Sequence, residues 1–447
     1  MNNTNKEQRI WLIVTIATVT ILIFIFAGIT YAFFTSNDNT GSTAEITNTS
    51  GKMTITYADG GSNLLTLSNI SPSNNIIANK TFTLTGVNTS SAGESLSMPY
   101  KVGIKYTSSF SDGQIHYYIK EVDRPISSSV TVNYTGETNQ TVPGNSSYTG
   151  YTHGTLKNGN RYTELVTGEF PASNNNQTIT FNLIMQFPDT GENQDSEKSK
   201  SINAEVVVNY ELPKATTFAD DSWDTISEIV NNGDMSTYSV GSEKEVEIDG
   251  KNYTVRVANN TTPEECNHSD FSQTACGFVV EFVDIIETRQ MNSTNTNVGS
   301  WPASDMRKYA NGDFYNKLPS DLKKAIADTT VISSHGSTSG EINFTSTDKI
   351  YLLSAREIWP DSSRIQVSES DTTYNSTRQL DYYSSKGVTT SNYDSAIKQS
   401  DGTNVYWWLR SAYSLDSTEF FDVRSDGVLF ANSSIGGFGF APAFRIG

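Results

Sequence analysis

Apolar and polar positions divide the chain into three stretches with different periods. Residues 10–34, IWLIVTIATVTILIFIFAGITYAFF, carry no charge. At about 1.5 Å per residue such a run crosses the roughly 30 Å hydrocarbon layer as a helix. From Lys52 the pattern alternates. KMTITYADG, NLLTLSNI, KTFTLTGV, PYKVGIKYT, GQIHYYIKEV, QTITFNLIMQF and SINAEVVVNYEL each set apolar against polar residues. Gly, Asn and Ser turns separate them, and no helical period intervenes, which predicts a β-sandwich or jelly roll over 51–212. Residues 134–160 are poor in aliphatics and read as a long loop or excursion.

After ELPKATTFADDSW the period changes again. DSWDTISEIVNN places Trp223, Ile226, Ile229 and Val230 on one helical face, with Asp221 or Ser222 as cap. EKEVEIDGKNYTVRVAN predicts a hairpin turning at Asp249–Gly250. GFVVEFVDIIE reads as a long central strand and DKIYLLSAREI as a buried strand running into a turn. WPASDMRKYANGDFYNKLPSDLKKAI predicts two short helices broken at Leu318–Pro319. The expected organisation is an N-terminus at 1–9, an apolar segment at 10–34, a spacer at 35–50, the sandwich at 51–212, a linker at 213–220 and an α+β domain at 221–447. A chain of 447 residues accommodates two such domains.

Charge decides compartment and partners. Lys6 and Arg9 precede the apolar segment and the next basic residue is Lys52, so residues 1–9 are expected in the cytoplasm and everything after Thr35 outside. A retained anchor and a signal peptide cut after Ala32 both fit. In either case the chain is expected at a cell membrane or cell surface. The only cysteines, Cys266 and Cys276, then predict a disulfide, and no common zinc spacing includes them. The formal net charge of -18 disfavours nucleic acid and anionic lipid as partners. Aromatics at 11% supply the cores.

Catalytic and metal motifs are missing from the sequence. It contains no H-E-x-x-H, no phosphate loop and no calcium-loop register, and His116 and His153 stand alone on their strands. FPDTG at 187–191 resembles a sortase signal but is internal. The expectation is no enzyme, no cofactor and no metal.

The aromatic stretch NVYWWLRSAY, 404–413, carries the candidate site. On a strand Trp407 and Leu409 face one way, Trp408 and Arg410 the other. Trp407 is then core, and Trp408 shares a face with Arg410, joined by Arg424 and Arg445 from neighbouring strands. Arg410 is read as a buried structural arginine paired with Asp422 or Asp305. The rival reading is a platform for a sugar or peptide. Binding is placed on Ser411–Ser417 and Asn432–Phe440, with Trp408, Tyr413, Ser414, Asp416, Asn432, Ser434 and Phe438 as ligand-binding candidates. Cys266, Cys276, Trp301, Asp305, Arg307, Trp407, Arg410 and Phe444 are structural candidates.

Two resemblances join this reading. AGITYAFFTSNDNTG, AEITNTSGKMTITYADG, NKTFTLTGVN and TFNLIMQFPDTGENQD, over about 20–212, resemble the camelysin/TasA family of Gram-positive surface proteins. That resemblance implies export, a jelly roll and, in some members, fibres. The ordered motifs W-x-x-S-D-M-R, L-P-x-x-L-K, W-W-L-R-S and G-x-x-P-A-F-x-I resemble a recurrent C-terminal domain of unknown function in Gram-positive surface proteins. More distantly they resemble the C-type-lectin-like fold of formylglycine-generating enzymes and of retroelement-diversified variable proteins. The enzyme's paired late cysteines have no counterpart after Cys276. The overall expectation is a mainly β surface protein, with a membrane-spanning helix, a jelly-roll stalk and a lectin-like α+β domain. It would bind an extracellular glycan or protein. The alternatives are a fibre-forming biofilm-matrix subunit that polymerises with itself, and a surface hydrolase or peptidase.

Overall fold

The computed structural model describes residues 44–47, 53–58, 64–68, 70–88, 97–125, 128–171, 175–337, 340, 342–360, 371–373 and 375–447. The expected N-terminus at 1–9, apolar segment at 10–34 and cut after Ala32 lie outside the described residues. Among the described residues no helix is long and apolar enough to cross a membrane. The chain is mainly β and divides into two compact units, one covering 1–158 and 162–211, the other 159–161 and 212–447.

The first unit is two antiparallel sheets over one core. The larger runs, edge to edge, Ala44–Thr47, Met53–Ala58, Ile76–Asn88, Gln177–Gln186, Ile115–Asp123, Thr149–Leu156 and Glu137–Thr141. The smaller runs Leu64–Ser68, Ser201–Val208, Met98–Ser108, Gly159–Phe170 and Thr131–Tyr134. Alternation explains the core. Phe82 and Leu84 of one sheet, and Val102, Ile104, Ile202 and Ala204 of the other, point inward and are buried together.

Three expectations change in this unit. Ala44–Thr47, read within a spacer, pairs with Met53–Ala58. The stretch 134–160, read as a loop, contributes two strands of the larger sheet, because Tyr151 and Val142 bury against Tyr118 and Ile184 on its outer face. His116 and His153 are not solitary: diagonal neighbours on adjacent strands, they meet with His153 Nε2 2.9 Å from His116 Nδ1. Burial, then the neighbouring His153, lowers the pKa of His116.

The second unit contains a four-stranded sheet, Glu243–Ile248, Lys251–Thr261, Gly277–Phe282 and Ala443–Ile446. It also contains a five-stranded one, Glu287–Arg289, Phe438–Phe440, Trp407–Ala412, Glu419–Val423 and Leu429–Ser433. Helix Trp223–Asn231 starts at Ser222, whose side chain accepts from Thr225 N. Its Trp223, Ile226, Ile229 and Val230 join the core with Phe278 and Phe444. Phe218, expected in the linker, is buried in the same core. Asp249 and Gly250 turn the first hairpin with φ of 53° and 79°, the left-handed pair this tight turn requires. Helix Asp305–Tyr309 runs through a π turn at Ala310–Phe314 into Tyr315–Lys317, and Leu318–Pro319 separates it from helix Ser320–Ala325.

Two strand expectations are corrected here. The apolar run from Gly277 leaves its ladder after Phe282 and enters the other sheet at Glu287–Arg289. DKIYLLSAREI forms no extended strand. Tyr351 makes one bridge to Ala443, while the Leu352 and Leu353 carbonyls accept from Arg410, leaving no ladder to build. Ser354 then caps the short helix Ala355–Ile358. Cys266 and Cys276 form a disulfide.

Candidate functional site

The Trp407–Ala412 strand is irregular, and that irregularity separates its residues. Trp407 pairs with Val423 and Trp408 with Asp422, but the register then shifts before Ala412 meets Phe420. Simple alternation is therefore broken between Trp408 and Ala412, the stretch that holds Arg410. Trp408 is fully buried, donates Nε1 to the Arg289 carbonyl and lies 4.7 Å from the Phe438 ring. It offers no platform, which corrects its assignment as a ligand residue. Trp407 is also fully buried, with Nε1 donating to the Ala396 carbonyl.

Arg410 is buried and structural, yet its partner is neither Asp422 nor Asp305. Its Nη1 and Nη2 donate to Glu357 Oε2 and Oε1 at 2.7 and 2.6 Å, and Nη2 also to Thr274 Oγ1. The fork meets a carboxylate held by Thr377 and by the Ser354 amide. Beside it Asp371 accepts from Ser411, and burial raises its pKa. Arg424 lies instead over Tyr406 and Phe430, and Arg445 belongs to the other sheet. Asp305 accepts from the Ser293 amide and hydroxyl and from Lys308, which hold its pKa down at about 2.

The remaining structural candidates lie where they pack. Trp301 is buried and donates to Asp348 Oδ2, whose Oδ1 takes Arg307 Nε at 2.6 Å. Phe444 is buried against Trp223 and Phe282. A second buried charge cluster, absent from the sequence reading, sets Glu281 between Arg256 and Lys398 at 2.9 and 3.0 Å. Burial pushes the Lys398 ammonium down to about 8.

Four of the ligand candidates, Tyr413, Ser414, Asp416 and Ser434, converge on a cluster of three loops. Buried Asn297 ties the first to the second: its Nδ2 donates to the carbonyls of Tyr413, Asp416 and Glu419 at 3.0, 2.7 and 2.9 Å. Its backbone amide donates to Ser417. Ser434, fully buried, ties in the third loop. Its Oγ accepts from Thr296 N at 2.9 Å, and its own amide donates to the Thr418 carbonyl. Ser434 is thus a joint rather than a contact residue, a second correction. Gln290 Nε2 donates to the Ile435 carbonyl from the strand side. Tyr413, Ser414 and Asp416 are half-buried within this cluster. The Thr418 hydroxyl and amide bond the Asp416 carboxylate and lower its pKa.

From these pinned loops three aliphatic side chains project into solvent: Val298, Leu415 and Ile435, 54%, 65% and 42% exposed. Sequence reasoning placed binding on the loops that hold Leu415 and Ile435 but singled out none of the three side chains, and it passed over Asn297. The available signal was a lone aliphatic among Asn, Ser and Gly, as in NVGS, YSLDS and SSIGG. Asn432 and Phe438 lie apart from the loop tips, on the face of the five-stranded sheet. There Asn432 Nδ2 donates to Asp422 Oδ2 at 2.8 Å.

Elsewhere an open concavity in the first unit gathers Asp189, Glu192 and Asp195, with Lys198 paired to Asp195. This is the ordinary behaviour of a solvated acidic turn. Among the described residues no group of three His, Cys, Asp or Glu side chains could hold a metal. Comparison with curated proteins gives no match. Residues 279–447, which contain the five-stranded sheet and all three loops, match the family described as a domain of unknown function, DUF6273.

Proposed function

We propose that this is an extracellular binding protein of a Gram-positive cell surface. Its first unit is a jelly-roll stalk and its second unit a lectin-like display domain whose pinned loops engage another protein. The observation that carries the reading is the arrangement around Asn297. Three chain segments are locked together, yet the three aliphatic side chains at their tips stay in water. Large apolar side chains grouped on loops that are tied together mark a protein-interaction surface. Rigid loops reduce the ordering penalty of that contact. Asp416 on the second loop, and Asp305 at the start of the helix that holds Ser293 of the first, both have lowered pKa values and are ionised at neutral pH. They disfavour an anionic lipid or polymer as the partner.

The test is binding of the full chain to arrayed extracellular proteins and peptides, beside the triple variant Val298→Ser, Leu415→Ser, Ile435→Ser. The expected result is a bound array member whose affinity drops at least about tenfold in the variant. Equal binding by the variant, or no bound member, overturns the reading. Fibres assembled by the purified chain alone would favour the structural subunit instead.

A further inference from the structure

Cross-strand register places a second set of groups on one face of the five-stranded sheet. Trp408 stands opposite Asp422, and Asp422 opposite Phe430. Asn432 and Arg424, two positions along from Phe430 and Asp422, share that face. Phe430 is 44% exposed, although an aromatic on a strand ordinarily buries its ring. The Arg424 guanidinium lies 5.6 Å from the Phe430 ring centroid and 5.8 Å from that of Tyr406.

Two polar atoms on this face lack partners. Asp422 is fully buried, and its Oδ1 receives no hydrogen bond from any described residue. Arg424 Nε is buried and makes none either; its nearest carboxylate oxygen, on Asp426, is 3.7 Å away. Buried polar groups are normally satisfied, so an acceptor and a donor left without hydrogen bonds two positions apart on one face point to a ligand that supplies both. The Arg424 side chain is 40% exposed, so a ligand can reach its guanidinium from solvent.

We propose that this face, formed by Asp422, Arg424, Asn432 and Phe430, binds a neutral saccharide. Sugar hydroxyls both donate and accept, which matches the open acceptor at Asp422 Oδ1 and the open donor at Arg424 Nε. An anion would meet the carboxyl, and a cation the guanidinium. The exposed Phe430 ring suits the apolar face of a sugar.

The experiment is saturation-transfer NMR of the full chain with millimolar N-acetylglucosamine, glucose and galactose, and with a uronate and an amino sugar as charged controls. A neutral sugar is expected to bind. Phe430→Ala, an exposed site whose loss leaves the core intact, and isosteric Asp422→Asn should each weaken it at least about tenfold. The triple loop variant should bind it as the parent does, which separates this site from the protein-binding loops. Binding of no neutral sugar, preference for a charged one, or parental affinity in either single variant overturns the proposal.

Discussion

Arg410 and Glu357 form a two-pronged ion pair between fully buried side chains, 53 positions apart in sequence. Removing one partner strands the other charge without water. Arg410→Ala should therefore destabilise the full chain by about 3–5 kcal/mol, read as a lowered urea midpoint. Replacing the pair together, Arg410→Met with Glu357→Leu, should recover most of the loss. An unaltered midpoint for Arg410→Ala would move this arginine out of the core.

Trp407 and Trp408 are both buried, so their substitutions should be alike in kind. Each change to Ala should cost about 3–5 kcal/mol, the range for emptying a large core site. Thermal unfolding of the two variants checks this. A Trp408→Ala variant that melts like the parent would contradict the buried placement.

Asp422 gives a pH dependence with a definite sign. Its pKa rises from 3.8 to about 7 on folding, with burial as the leading cause. The folded state then holds the proton more tightly than the unfolded chain. Its stabilisation is fully present below pH 4 and is lost as pH climbs to 7, by up to roughly 4 kcal/mol. Asp422→Asn keeps the neutral shape and should be more stable than the parent above pH 7 and close to it at pH 4. Melting curves across that range decide the matter: parallel pH profiles for the two proteins would refute the assignment.

The Cys266–Cys276 bridge closes a short loop. Thiol labelling of the unreduced native protein should find no reactive cysteine, as both are bonded. Reduction should lower stability by roughly 2–3 kcal/mol, the scale for a loop of this length.

Asn297→Ala removes one amide from three carbonyls at once. Amide hydrogen exchange in residues 290–299 and 413–419 should accelerate, while the Lys251–Thr261 strand keeps its protection. Unchanged exchange in the loops would mean that other contacts hold them.

Local chemistry was readable from the sequence. The alternation of SINAEVVV makes Ser201–Val208 a strand, and the spacing of Trp223, Ile226 and Ile229 makes a helix capped at Ser222. Asp249–Gly250 makes a hairpin turn, and the lone cysteine pair a disulfide. Each depends on residues within a few positions of one another, or on a residue type with a single ready partner. The folded chain alone decided the rest. Glu357 rather than Asp422 meets Arg410 because the register slips between Trp408 and Ala412, and no residue in WWLRSA announces that shift. His116 meets His153, 37 positions on, because their strands are neighbours in the sheet. The candidate site was legible as two loops but not as one surface. What joins them is an asparagine amide reaching backbone carbonyls more than a hundred positions away, and a carbonyl leaves no mark on the amino-acid sequence.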